Sequence, residues 1–334
     1  MTDRTRLRVF TWHLHGGYLF YLAHGDYEIY VPVRPGRPIP YVGASPGFRW
    51  PPNVTEIPAD RVRDITFDCV LFQSRTQYFE EQFEILSDEQ RRLPQIYLEH
   101  DPPLEHPTET RHPVDDPDVL LVHVTPFNEL MWNSGRTPTR VIEHGVVVPE
   151  GARYSGHVER GITAVNNLYR RGRRTGPDIF DRARAEVPID LAGMGSEDIG
   201  GLGDMPLDRL LLLEGTYRFF FNPIRYTSLG LAVCEAMMLG MPVAGLATAE
   251  MATAVDNGVS GVVDTDLRKV IEGMRELLRD RGLARRMGDH ARQRALDRFG
   301  IERFVREWKD AFETVTGKNA GRSLQPVGGR TAEW

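Results

Sequence analysis

The chain has 334 residues, with 41 Lys and Arg against 47 Asp and Glu, a formal net charge of −6, and 41% hydrophobic residues. At about 150 residues per domain, this length predicts two domains, with enough buried surface to need no disulfide staples. The charge balance excludes a dedicated nucleic-acid binder, which carries a strongly basic face, and the composition excludes wholesale disorder.

The cysteines are Cys69 and Cys234, each inside an apolar run. They form no disulfide framework, so a reducing, cytoplasmic location is expected. The polar, basic start of the chain passes straight into a strand-like run and carries no signal-peptide core. No apolar run reaches the roughly 18 residues of a membrane span.

Short apolar runs alternate with helical spacing along the chain. Residues 8–12 predict a strand, followed by His13-Leu14-His15-Gly16-Gly17 and a short helix. Residues 27–33 predict a second strand, and 35–58, rich in Pro and Gly, a long loop. A buried strand is expected over 69–73 and an amphipathic helix over 77–93. The strand over 95–98 ends at Glu99-His100-Asp101-Pro102-Pro103. Residues 119–124 predict another strand, with Thr125 as N-cap of a helix over 126–132 that has Pro at its first position. A strand over 139–143 ends at His144-Gly145.

A second series of units follows. Strands are expected over 161–166, 189–192, 217–222, 242–245 and 261–264, with helices over 176–186, 229–239, 267–279, 283–298 and 301–314. The basic helices of 268–298 read as a solvated face, with peripheral membrane contact left open. The segment 318–334, rich in Gly, Arg, Ser and Pro, reads as a flexible tail. Strand–helix alternation in both halves implies two α/β domains with parallel sheets. Ligands of such sheets bind beyond the carboxyl ends of the strands.

The most informative stretch runs from Tyr217 to Ala244. A buried strand enters a polar turn, and a helix opens near Leu229-Gly230-Leu231. The free N–H groups and positive dipole end of that helix suit a phosphate. Gly230 leaves room for a ligand against the backbone, and the carboxylate of Glu235, one turn on, can accept two hydrogen bonds from a diol. The same residues also read as a plain helix packed on a sheet, with Glu235 in a surface ion pair.

Leu229-Gly230-Leu231 and Glu235-Ala-Met-Met-Leu-Gly-Met-Pro-Val243 resemble the nucleotide-sugar site of retaining glycosyltransferases of family 4. That family reads E-G-F-G-L-x-x-x-E-A-M-A-x-G-x-P-V. The resemblance implies a GT-B fold: an α/β chain with two Rossmann-like parallel-sheet domains facing a cleft. It implies that Glu235 binds the nucleotide ribose and that Ser228, Leu229, Gly230 and Leu231 meet the donor sugar and diphosphate. The family's first acid, which contacts the donor sugar, falls on Thr227; threonine can hydrogen-bond a hydroxyl but brings no charge.

Further matches extend over most of residues 8–310. Ala164 to Gly172 resembles the family's V-G-R-x-x-x-x-K-G, whose Arg falls on Asn166 and whose Lys falls on Arg171. Arg170, Arg171, Arg173 and Arg174 could neutralise a leaving diphosphate, or form a solvated basic loop. Gly193-Met194-Gly195 resembles the family's turn near the base, and Gly16-Gly17 its glycine-rich loop at the cleft. His100 falls at the family's cleft histidine; a strand-end histidine satisfied by backbone is the alternative. Glu250 lies near a loop that touches the donor sugar in the family, whose own Glu falls on Thr253. His100, Asp101, His106, Glu109 and His112 match no metal-ligand spacing, and no metal is expected.

The resemblance therefore implies a retaining glycosyltransferase, with His100, Arg171 and Thr227 at the reacting centre. Its donor is a nucleoside diphosphate sugar of UDP or GDP type, its acceptor a glycan, lipid-linked or small molecule, and it needs no cofactor. Residues 1–150 are expected to face the acceptor. Residues 151–317 are expected to hold the donor, with their last helices returning to the first domain. A non-catalytic sugar-nucleotide-binding protein and a sugar-nucleotide epimerase are the competing readings on this fold.

Overall fold

The computed structural model describes residues 6–14 and 16–317, so the expected tail over 318–334 lies outside the described residues. The first half contains β1 (Leu7–Thr11), α1 (Gly16–Leu22), β2 (Tyr27–Val33), β3 (Val54–Pro58), β4 (Cys69–Phe72), α2 (Gln82–Ile85), β5 (Gln95–Glu99), β6 (Val119–His123), α3 (Pro126–Met131) and β7 (Thr139–Val141). They form a seven-stranded sheet of order β3-β2-β1-β4-β5-β6-β7, with every strand pair parallel.

The second half contains β8 (Val158–Ala164), α4 (Pro177–Arg184), β9 (Ile189–Ala192), α5 (Leu207–Glu214), β10 (Tyr217–Asn222), α6 (Leu231–Leu239), β11 (Val243–Leu246), α7 (Met251–Ala254) and β12 (Gly261–Asp264). They form a five-stranded sheet of order β12-β11-β10-β8-β9, also parallel throughout. Helices α8 (Leu267–Arg279), α9 (Arg281–Phe299) and α10 (Ile301–Val315) close the chain.

The central strands are apolar on both faces because both faces are covered. Every residue of β4, β10 and β11 is buried. Helix α10 crosses back to the first half: the Trp308 indole donates to the Tyr18 hydroxyl of α1 (3.0 Å), and Phe312 meets Tyr27 edge-on at 5.0 Å. A Cβ at Gly145 would stand 2.2 Å from the Phe304 Cβ, so glycine lets α10 pack against the segment joining the halves.

Three expectations are corrected. The loop over 35–58 contains β3, an edge strand paired with β2; its five residues stand among prolines, which an edge tolerates. The single helix over 77–93 is broken into a π-helical turn over Gln77–Glu81, α2, and a 3-10 turn over Gln90–Arg92. The break is a reciprocal cap: Ser87 Oγ accepts from the Gln90 N–H (3.2 Å), and Gln90 Oε1 accepts from the Ser87 N–H (2.9 Å). Such a pair starts a new turn. Helix α5 was not expected, because its run of four leucines hides the helical period.

Thr125 caps α3 as expected, its hydroxyl accepting from the Asn128 N–H at 3.1 Å. Thr125→Ala should lower unfolding free energy by about 1 kcal/mol in urea denaturation.

Candidate functional site

The carboxyl ends of the two sheets meet across one cleft. The Tyr226 hydroxyl, after β10, donates to the Pro103 carbonyl, after β5 (3.0 Å). His144 Nε2, after β7, lies 2.7 Å from the Leu229 carbonyl. Burial lowers the pKa of His144 to about 4, so at neutral pH the ring is neutral and its Nε2–H donates to that carbonyl.

On the second-half wall, Gly230 is the N-cap of α6 and holds an extended backbone. No side chain caps this helix, and a Cβ at Gly230 would meet open space. The uncapped end carries partial positive charge. Ser228 and Leu229, which lead into it, are buried, and Thr227 precedes them.

The arginine loop after β8 stands beside this turn. Arg174 accepts from the Arg225 and Tyr226 N–H groups through its carbonyl (2.8 and 3.2 Å). Gly176 adopts φ +78°, and a Cβ there would lie 2.0 Å from the Pro223 carbonyl oxygen. Only glycine lets the two loops touch at this point. Arg171 lies in the same group. Its guanidinium is partly desolvated, and this, followed by the nearby Arg174 charge, lowers its pKa. The Arg174 Nη1 atom is buried without a hydrogen-bond partner among the described residues, 3.7 Å from Asp101 Oδ1.

The other predicted residues of this half divide. Asn166 Oδ1 accepts from the Met194 N–H (2.9 Å), and the Asn167 N–H donates to the Met194 carbonyl (2.7 Å). Asn166 therefore braces the Gly193-Met194-Gly195 turn, where Gly193 and Gly195 take φ of 112° and 75°. Arg170 lies apart from the cluster, paired with Asp198 at 3.2 Å while both side chains are mostly exposed.

On the first-half wall, Gly16 and Gly17 are the first turn of α1 rather than a loop. A Cβ at Gly17 would lie 3.2 Å from Leu231, and one at Gly16 would lie 2.6 Å from Phe48. His100 Nε2 stands 3.2 Å from Gln73 Oε1, which assigns the proton to Nε2. The Tyr18 ring meets the His100 ring edge-on at 5.0 Å. Gln73 is held in turn by its amide donating to Thr11 Oγ1 (3.0 Å) and to the Trp12 carbonyl (2.8 Å).

Asp101 escaped the sequence reading except as a candidate metal ligand. Its backbone is clamped: its N–H donates to Glu99 Oε1 (2.9 Å), and its carbonyl accepts from the Trp132 indole (2.8 Å). Its carboxylate reaches across the cleft, where the Thr227 hydroxyl donates to Oδ1 at 3.3 Å. The only sequence signal for it was its place directly after His100 at a strand end.

Glu235 is 4% exposed, and the Tyr21 hydroxyl of α1 donates to its Oε1 at 2.7 Å. It is held between the halves by this bond rather than in a surface ion pair. Burial pushes its pKa up to about 7. Glu250 is likewise occupied, accepting from the Phe127 N–H (3.1 Å) and pairing with Arg298 and Thr253. Thr253 serves that same contact. Among the described residues, no cluster of three His, Cys, Asp or Glu is arranged to hold a metal, and no helix is long and apolar enough to cross a membrane.

No family model matches the chain, and no curated protein matches it. Among solved structures it is similar to a sucrose-phosphate synthase from Thermosynechococcus elongatus, at 14% identity and a TM-score of 0.68, over 94% of this chain and 100% of that one. It is also similar to HepE from Anabaena, solved with UDP, at 12% identity and a TM-score of 0.63, over 92% and 100% of the two chains. A glycosyltransferase from Rickettsia africae aligns at 11% identity and a TM-score of 0.63, over 93% and 99%. The chain has the GT-B fold of these structures, with two parallel-sheet domains facing a cleft.

Proposed function

We propose that this chain is a glycosyltransferase that moves a sugar from a nucleoside diphosphate sugar to a hydroxyl-bearing acceptor. One observation carries the reading. The uncapped start of α6 and the Arg171–Arg174 loop form one wall of a cleft whose other wall presents His100 and Asp101. An anion-binding wall opposite a hydrogen-bonding wall suits a donor that is a diphosphate at one end and a sugar at the other. Anabaena HepE was solved with UDP-glucose, which favours a UDP-type donor.

In this reading, residues 151–317 hold the donor and residues 1–150 present the acceptor. Departure of the diphosphate leaves positive charge at the anomeric carbon. Arg171, Arg174 and the first N–H groups of α6 stabilise the leaving group, which is where new negative charge gathers. His100, oriented by Gln73, faces the sugar or acceptor hydroxyl. Closure of the halves excludes water that would hydrolyse the donor. We propose retention by a front-face route, in which the leaving phosphate oxygen takes the acceptor's proton. The bond from the sugar to the diphosphate breaks, the bond to the acceptor oxygen forms on the same face, and no protein nucleophile is needed. Buried free Cys69 and Cys234 suit a reducing compartment such as the cytoplasm.

A thermal-shift screen against UDP, GDP, ADP and dTDP tests the binding half. At a hundredfold excess over Kd, one diphosphate should add about 2.7 kcal/mol to stability and raise Tm by several degrees. Product analysis with the matching sugar donor then tests transfer. A shift with neither transfer nor donor hydrolysis would favour the non-catalytic binder, and no shift with any of the four would reject the site.

A further inference from the structure

We propose that Asp101 is the residue that binds a hydroxyl of the donor sugar and so distinguishes the sugar-bearing donor from the bare nucleotide. This inference rests on the glycosyltransferase reading above.

The acids of the cleft can be sorted by what already holds them. Glu99 is taken by His112 and by the Asp101 N–H. Glu143 is bound to Arg298, and Glu250 to Arg298, Thr253 and the Phe127 N–H. Glu235 is buried against Tyr21. Asp101 differs. Its backbone is fixed at both its N–H and its carbonyl. Its carboxylate is partly exposed, and its cross-cleft contacts are long: Thr227 at 3.3 Å and Arg174 at 3.7 Å. A carboxylate accepts at about four lone-pair sites, so these two contacts leave acceptor capacity for a ligand.

Its place decides what it can accept. Arg174, Arg171 and the start of α6 form the anion-binding wall, and a carboxylate aimed at that wall repels phosphate oxygens. The donor group it can favour is neutral and rich in hydroxyls. In a nucleoside diphosphate sugar, that group is the sugar next to the diphosphate. Thr227 contributes a hydroxyl to the same spot from the opposite wall. The two bond to each other in this structure, and a sugar hydroxyl would replace the Thr227 proton on Asp101.

Calorimetry with UDP and with UDP-glucose tests this on the full chain, with GDP and GDP-mannose run the same way. In Asp101→Asn, the Kd for the diphosphate should stay within about twofold. The ratio of sugar-donor Kd to diphosphate Kd should rise about tenfold, as expected when a hydrogen bond to a charged acceptor is lost. Tyr226→Phe is the control: it removes the cross-cleft bond to Pro103 without touching the sugar subsite, so both Kd values should move together. An unchanged ratio in Asp101→Asn, or a parallel loss of both ligands as in the control, overturns the sugar role and leaves the nucleotide site standing. Failure of the wild type to bind either diphosphate overturns the glycosyltransferase reading itself, and this inference with it.

Discussion

Arg174→Ala is expected to lower kcat/KM for glycosyl transfer by about two to three orders of magnitude, the usual cost of removing one preorganised donor to a developing negative charge. Arg174 does little for stability through its side chain. Its Nη1 has no hydrogen-bond partner among the described residues, and its approach to Asp101 is loose at 3.7 Å. The structural work is done by its carbonyl, which accepts from Arg225 and Tyr226 and survives the substitution. Tm should therefore move little while turnover collapses. Arg170→Ala is the contrast: that guanidinium is spent on Asp198 in solvent, and its loss should change kcat/KM by less than threefold. Steady-state kinetics and melting of both variants decide the matter. Equal, small effects on turnover would mean that the arginine loop carries no leaving-group charge.

Glu235→Gln should stabilise the protein at pH 8 by roughly 3 kcal/mol and leave it unchanged near pH 4. Burial raises Glu235 to about 7, with the Tyr21 hydrogen bond pulling partly back, from an ordinary value of 4.5. Glu214 is fully buried beside it, with neither oxygen hydrogen-bonded among the described residues, and burial, followed by the Glu235 charge, raises its pKa well above the usual carboxylate range. The sign follows from proton counting. Between about pH 4.5 and pH 7 the native state holds a proton on Glu235 that the unfolded chain has lost, so stability falls as pH rises through that window and levels off above it. Glutamine keeps an oxygen for the Tyr21 hydroxyl and never ionises, so the variant escapes the loss. His123 and His144, lowered by burial to about 3 and about 4, act in the opposite direction, since they are charged only in the unfolded chain over part of this range. The readout is therefore the difference between variant and wild type in urea denaturation at pH 4, 6 and 8. A difference that does not grow with pH would show that Glu235 is ionised and hydrated in the native protein.

These two residues also show where sequence reading worked and where it stopped. The turn at Leu229-Gly230 and the helix behind it were legible, because a buried strand, a polar turn and an apolar helix follow one another within thirty residues. The Thr125 cap and the apolar runs of β4 and β10 were legible for the same reason. β3 was not, since its few residues are surrounded by proline. The cap between Ser87 and Gln90 was readable in principle, as a serine followed three residues later by glutamine, but the surrounding helical spacing concealed it.

Local order is set by neighbours a few residues apart: apolar periodicity, caps, and the backbone limits of glycine and proline. The sequence by itself therefore determined two parallel-sheet halves, most of their elements, and the strand ends that line the cleft. The tertiary structure alone decided that Glu235 turns to Tyr21, 214 positions away, and that Asp101 meets Thr227 across 126 positions. A buried carboxyl must find a partner wherever packing supplies one, and two separately wound sheets bring partners together only when their edges dock. No pattern within either half encodes which side chains will then face each other.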